Sequence, residues 1–155
     1  MRYLAFLIIL VVQLSSCRNE NKVVNSVEKG NEEPKFYDLD TLELTEFMEI
    51  IKDKRSNSNH ATFSGDFKKA FINSENVKTL IPLIHSKERC KCSMNVLSSK
   101  MDNSDYAEMG GVAIYFIEDF RNARNPKLGL WTCPKADDKK AIKIETWWKA
   151  VKNKL

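Results

Sequence analysis

Four cysteines and two histidines are the side chains of this 155-residue chain whose types invite redox, metal or acid–base chemistry. Cys90, Cys92 and Cys133 admit a disulfide from Cys133 to either Cys90 or Cys92. Together with His85 they also admit a four-ligand nitrogen and sulfur set of the kind that suits zinc. Cys90 and Cys92 form a Cys-x-Cys pair, a less usual chelating spacing than Cys-x-x-Cys, and no βαβ pattern surrounds them as a redox site would require. His60 follows Asn57-Ser58-Asn59 and reads as a loop residue. His85 reads as the end of a helix, where an imidazolium gains from the dipole. The chain has no Gly-x-Ser-x-Gly elbow, no His-Glu-x-x-His pair and no phosphate-cradling glycine loop. Ser64-Gly65-Asp66 suits a helix cap better than an activated serine. Glu118 and Asp119 are adjacent on a helical stretch and so face apart, and Asp137-Asp138 read as capping acids. No catalytic residue, metal site or cofactor is expected from these residues.

The elements that would position them are read from apolar periodicity. Leu44, Phe47, Met48 and Ile51 recur at i, i+3, i+4 and i+7, behind a capping box at Asp40-Thr41-Leu42-Glu43. Phe63, Phe67, Ala70 and Phe71 make a second stripe with Ser64 as its cap. Val77, Leu80, Ile81 and Ile84 make a third behind Ser74, and Pro82 within it demands a kink or a restart. Tyr106, Met109, Ala113, Phe116, Ile117 and Phe120 make a fourth. Gly110-Gly111 within it lowers helix propensity by about 1 kcal/mol each, a loss often offset by close approach of another element. A fifth stripe runs from Asp138 through Ala141, Ile144, Trp148 and Val151. Strict alternation is nowhere convincing. The expectation is an all-α domain over 36–155, of about five helices in a small bundle or short helical array.

The N-terminus reads differently. Arg2 is followed by a mostly apolar run from Tyr3 to Leu14, the charged and apolar regions of a secretory signal. The run is too short for a membrane-spanning helix, which needs roughly 20 apolar residues. Leu14-Ser15-Ser16-Cys17 resembles the lipobox of bacterial lipoproteins. The resemblance implies diacylglycerol on the Cys17 thiol and removal of 1–16. Two or three acyl chains, at about 0.8 kcal/mol per buried CH₂, then hold the chain at a bilayer. Arg18, where some lipoproteins carry a retention aspartate, points to the outer membrane of a bacterial cell envelope. Residues 17–35, rich in Asn, Glu, Lys and Ser, read as a lipidated cysteine and flexible tether. An exported chain makes the disulfide, to Cys90 or Cys92, the plain reading of Cys133.

Two further segments carry a resemblance. Gly110-Gly-Val-Ala-Ile-Tyr-Phe-Ile-Glu118, followed by a loop and a helix with Trp147-Trp148, resembles small secreted helical proteins of bacteria. Val77-Lys-Thr-Leu-Ile-Pro-Leu-Ile84 is similar to the second helix of a HEAT-type repeat, which implies a scaffold that binds a partner.

A formal charge of +4 is too small to imply a nucleic-acid partner. The last helix is basic, and Trp147 and Trp148 cannot both point straight into a core. With Lys149, and with Trp131 in the loop before Cys133, they are the candidate partner-binding residues. The expected function is that of a lipid-anchored, non-enzymatic protein-binding module, with an immunity-type lipoprotein as one concrete form. The alternative is a small envelope hydrolase whose site is assembled from dispersed residues. The lipobox reading makes a direct prediction. Cys17→Ala should abolish incorporation of radioactive fatty acid, and equal labelling of both proteins would end that reading.

Overall fold

The computed structural model describes residues 35–154 apart from position 56 and 100–104. The expected signal, the expected lipobox with Cys17 and all of the expected tether but residue 35 lie outside the described residues. The expected all-α architecture does not hold. Among the described residues, four α-helices accompany a four-stranded mixed sheet and a two-stranded sheet, so the domain is α/β. No helix among the described residues is long and apolar enough to cross a membrane.

The sheet is built by two successive crossovers. Strand β1 (Phe36–Asp38) leads through helix α1 (Leu44–Lys52) to β2 (His60–Ser64), which pairs with it in parallel. From β2 the chain runs through α2 (Ser74–Leu80), a 3₁₀ turn (Ile81–Leu83) and the short β3 (Arg89–Cys90) to β4 (Cys92–Asn95), again parallel to β2. Then come β5 (Ala107–Glu108), α3 (Met109–Arg121), β6 (Trp131–Thr132) and α4 (Asp138–Val151). Strand β6 closes the far edge antiparallel to β4, giving the order β1-β2-β4-β6, while β3 and β5 pair separately. Parallel neighbours need such crossovers, because no hairpin can join them.

Phe63 belongs to β2 and not to a helix. Phe67 and Phe71 lie on the loop that follows it. Their spacing of four mimicked a helical stripe, but the three rings meet by chain folding. Phe47 of α1 stacks on Phe63 at 5.0 Å and meets Phe116 of α3 edge-on at 5.4 Å. Phe67 lies 4.3 Å from Phe71 and 5.6 Å from Phe116. Each such pair adds about 0.5–1.5 kcal/mol beyond area burial, so this five-ring knot joins α1, β2, the loop and α3. The strands themselves gave no alternation to read. Ala61, Thr62 and Phe63 are consecutive and all buried, as are Cys92, Ser93 and Met94, the pattern of parallel strands covered on both faces.

The caps sit close to where the sequence puts them. Helix α1 starts one turn later than expected, with Glu43 N donating to Glu46 Oε2 at 2.9 Å. For α2 the cap is Asn73, whose Oδ1 accepts from Asn76 N at 2.9 Å, not Ser74. Pro82 does restart the chain, inside the 3₁₀ turn. Asp137 Oδ1 caps α4, accepting from Lys139 N and Lys140 N at 2.9 and 3.1 Å. Tyr106 stays outside α3, with the Arg89 guanidinium over its ring at 4.1 Å and Lys135 Nζ at 3.3 Å.

Gly110 and Gly111 are where α3 is approached most closely. A Cβ on Gly110 would stand 2.7 Å from the carbonyl oxygens of Ile84 and Ser86, and one on Gly111 would stand 2.5 Å from Pro134 C and O. These neighbours are backbone and cannot swing aside. In an open helix Gly→Ala gains about 1 kcal/mol. Here the overlap reverses the sign, and Gly111→Ala should lower stability by about 2 kcal/mol or more, roughly a 10 °C fall in Tm. Gly129, whose Cβ would come no nearer than 3.6 Å to Thr132 Oγ1, serves as the near-neutral control in the same thermal melts. A rise in Tm for Gly111→Ala would show that 134–135 is not seated there.

Candidate functional site

The strand register places the three cysteines. Ser93 pairs with Thr132 and Met94 with Trp131, so Cys92 stands opposite Cys133, and the two form a disulfide with Cα atoms 4.6 Å apart. Linking residues 41 apart contributes about 4 kcal/mol on the chain-entropy estimate. Among the described residues, Cys90 is the free thiol; it is buried among core residues, and burial pushes its pKa up to about 12. The zinc set is not assembled. Cys92 and Cys133 lie near the Asp105 carboxylate, but their sulfurs are bonded to each other and offer no thiolates. His85 is elsewhere, with Nε2 donating to Glu145 Oε1 at 3.1 Å and Nδ1 3.9 Å from Asp138 Oδ1, which ties the end of the 3₁₀ segment to α4.

The same register lines up Phe36, Thr62, Met94 and Trp131 across all four strands. Residues directly paired share a face and neighbours along a strand alternate. The opposite face therefore carries Tyr37, Ala61 and Phe63, and Phe63 is the one that stacks on α1. Cys92 and Met94 are buried yet stand outside the hydrophobic core cluster, in agreement with this division. His60, two residues before Thr62 on the same face, brings its ring to 5.9 Å from Trp131 across β4. This outer face thus carries aromatic rings at its two edges, with the buried Thr62 and Met94 between them. Phe36 is 59% exposed at one end, Trp131 and His60 are half-buried at the other, and Met94 lies between.

Of the four expected partner-binding residues, the structure separates one from three. Trp131 lies on the outer sheet face. Trp147 and Trp148 lie on α4, 6.0 Å from each other. They are half-buried, with Phe120 6.4 Å from Trp147 and the Arg121 guanidinium 5.1 Å above its ring. Lys149 follows on the exposed side of the helix. Phe36, Met94 and Arg121 were not singled out by sequence, because no alternation marked the strands that place the first two. Ser64 ends β2 instead of capping a helix, and Gly65 after it takes a left-handed φ of 73° against Asp38 and Asp40.

A cleft of about 400 Å³ opens beside the C-terminus of α3, lined by Lys69, Ala70, Ile72, Phe120, Arg124 and Pro126 among others. Two turns shape it. Ala123, at φ 50°, closes α3 with Arg124 N donating to Asp119 O at 2.9 Å and Ala123 N to Phe120 O at 3.1 Å, a Schellman arrangement. Ala70, at φ 58°, sits in the turn that Phe71 N closes onto Lys68 O. Asn125 Nδ2 donates to Phe67 O at 2.7 Å and ties the two together. Arg124 is engaged by the buried Asp119, 3.0 Å away, whose carboxyl is raised by burial against the pull of that guanidinium.

Compared with known protein families, characterised proteins and solved structures, the chain matches none.

Burial, reinforced by nearby Lys91, lowers the pKa of His60 below its ordinary 6.5. Between that lowered value and 6.5 the folded state binds fewer protons than the unfolded chain. The stability contribution is therefore complete above 6.5 and is lost as pH falls through the window. Thermal melts between about pH 7.5 and pH 5 should show a larger loss for the wild type than for His60→Gln. Parallel curves for the two proteins would remove His60 from the acid response.

Proposed function

We propose that the protein is a lipid-anchored, non-enzymatic binding module of the bacterial cell envelope, and that the outer face of its sheet receives a protein partner. The observation that carries this reading is that Phe36 at one edge and Trp131 with His60 at the other present aromatic rings on the face opposite the core, with Met94 buried between them. Phe36 is exposed and Trp131 half-buried, while Thr62 and Met94 between them are buried. The two rings are therefore the accessible apolar part of this face, and exposed apolar surface marks association sites. Half-buried aromatic rings are the side chains that most often carry interface energy. The partner that fits is a protein presenting apolar side chains to a nearly flat sheet, and neutralisation of an exported toxin by an immunity-type lipoprotein is the concrete form. Among the described residues, the His60 ring is hydrogen-bonded to Ser58 and the His85 ring to Glu145, on different elements.

The test is reconstitution with a defined partner. The protein encoded beside this chain should be retained by the immobilised wild-type domain. Phe36→Ser/Trp131→Ala should weaken its Kd by about 100-fold, since each aromatic anchor is worth on the order of 1–2 kcal/mol. The circular-dichroism spectrum of the double variant should be unchanged. Full affinity in the folded double variant would rule out the outer sheet face.

A further inference from the structure

We propose that the outer face of α4 is an electrostatic docking surface for a layer of anionic lipid headgroups. Lys139, Ile142, Lys143, Thr146, Lys149 and Ala150 are all exposed and recur at three- and four-residue steps, so they share one side of the helix. Asp138 and Glu145 border that side, at four- and three-residue steps from Ile142, but both are engaged by residues of the segment before β3. Asp138 lies 3.6 Å from Lys87 Nζ, and Glu145 is hydrogen-bonded to His85 at 3.1 Å. Lys140 is drawn off to Glu118 at 3.1 Å. Among the described residues, Lys139, Lys143 and Lys149 have no carboxylate partner.

The charge is concentrated here. Residues 138–154 hold six lysines against Asp138 and Glu145, a surplus equal to the whole chain's +4. The occupant must therefore be anionic. It is a lipid layer rather than a folded partner because the surface consists of separate, long, flexible ammonium stems around one exposed aliphatic residue, Ile142, which is 57% exposed. Such stems match many mobile charges in a plane, whereas a stereospecific anion site calls for the planar, bidentate fork of arginine. The apolar side of α4, with Ala141 and Ile144, is already buried in the core. The helix thus rests on headgroups through its lysines and does not sink into the acyl region.

The experiment compares binding of the full chain to phosphatidylcholine vesicles with and without phosphatidylglycerol, by co-sedimentation. The apolar N-terminal segment contributes to both lipids, so the ratio between them reads the charged surface. Wild type should prefer the anionic vesicles, and K139Q/K143Q/K149Q should reduce that preference by about 100-fold, as expected for three lysines near a charged surface. High salt should do the same. The control K35Q/K69Q/K91Q removes equal charge elsewhere and should keep the preference. Equal loss in both triple variants, or no lipid preference in the wild type, would overturn the proposal. A retained preference for the anionic vesicles in K139Q/K143Q/K149Q would overturn it as well, even if that variant lost an acidic protein partner. The sheet variants of the previous section do not touch this surface, so either reading can fail alone.

Discussion

The first turn of α3 is the junction on which the rest of the fold depends. A helix begins with N–H groups that have no partner inside it, and here the chain itself supplies them. Met109 N donates to Glu88 O and Gly110 N to Ser86 O, both at 2.9 Å, while Glu108 N donates to Pro134 O at 2.9 Å. The Glu108 carboxylate returns the contact by accepting from Ala136 N at 2.9 Å. Two segments therefore pass over one helix start, and only residues without a Cβ at 110 and 111 leave them room. The consequences spread outward. Holding 86–88 there sets β3 beside β5, and holding 134 there places Cys133 and β6 beside β4. The helix so anchored carries Phe116 into the ring cluster that fastens α1 and β2.

What the sequence showed follows from which interactions are local. The helices α1, α3 and α4 were legible because their buried residues repeat along a single element, and Asp137 as a cap was legible for the same reason. The glycine pair also announced a close approach, since two residues poor in helix propensity inside a strong stripe need a compensating contact. The strands were not legible. His60–Ser64 and Cys92–Asn95 are short and buried on both faces, which erases the alternation that marks a half-exposed strand. Everything that depended on strand pairing was lost with them. The choice between Cys90 and Cys92 as the partner of Cys133 stayed open, since it turns on a register. Likewise Phe36 and Met94 carried no mark of a surface that only the sheet assembles.

The layering sets the two proposed surfaces apart. Phe63 faces α1, and the buried residues of all four helices belong to one core cluster with it. The core therefore lies between the outer face of the sheet and the lysine side of α4. A domain resting by α4 on headgroups turns its aromatic sheet face toward the surrounding space, where a partner can reach it. An anchor at Cys17 would confine the domain near the bilayer, while the lysines would choose which side faces it. Electrostatics of this kind orients at modest energy and yields to salt, so the orientation is a bias and not a lock.

The deep burial of Cys90 bears on how the oxidised protein is reached. Cys90 and Cys92 are separated by a single residue, so an unfolded chain meets Cys133 with either at nearly equal odds, and mispairing is the natural hazard of oxidation. Exchange between isomers proceeds through a thiolate. Burial pushes the Cys90 thiol up to about 12, so at neutral pH it presents very little thiolate once the core has closed around it. Folding thereby ends the shuffling. The third thiol of the described domain, chemically alike in the nascent chain, is withdrawn from the competition by packing.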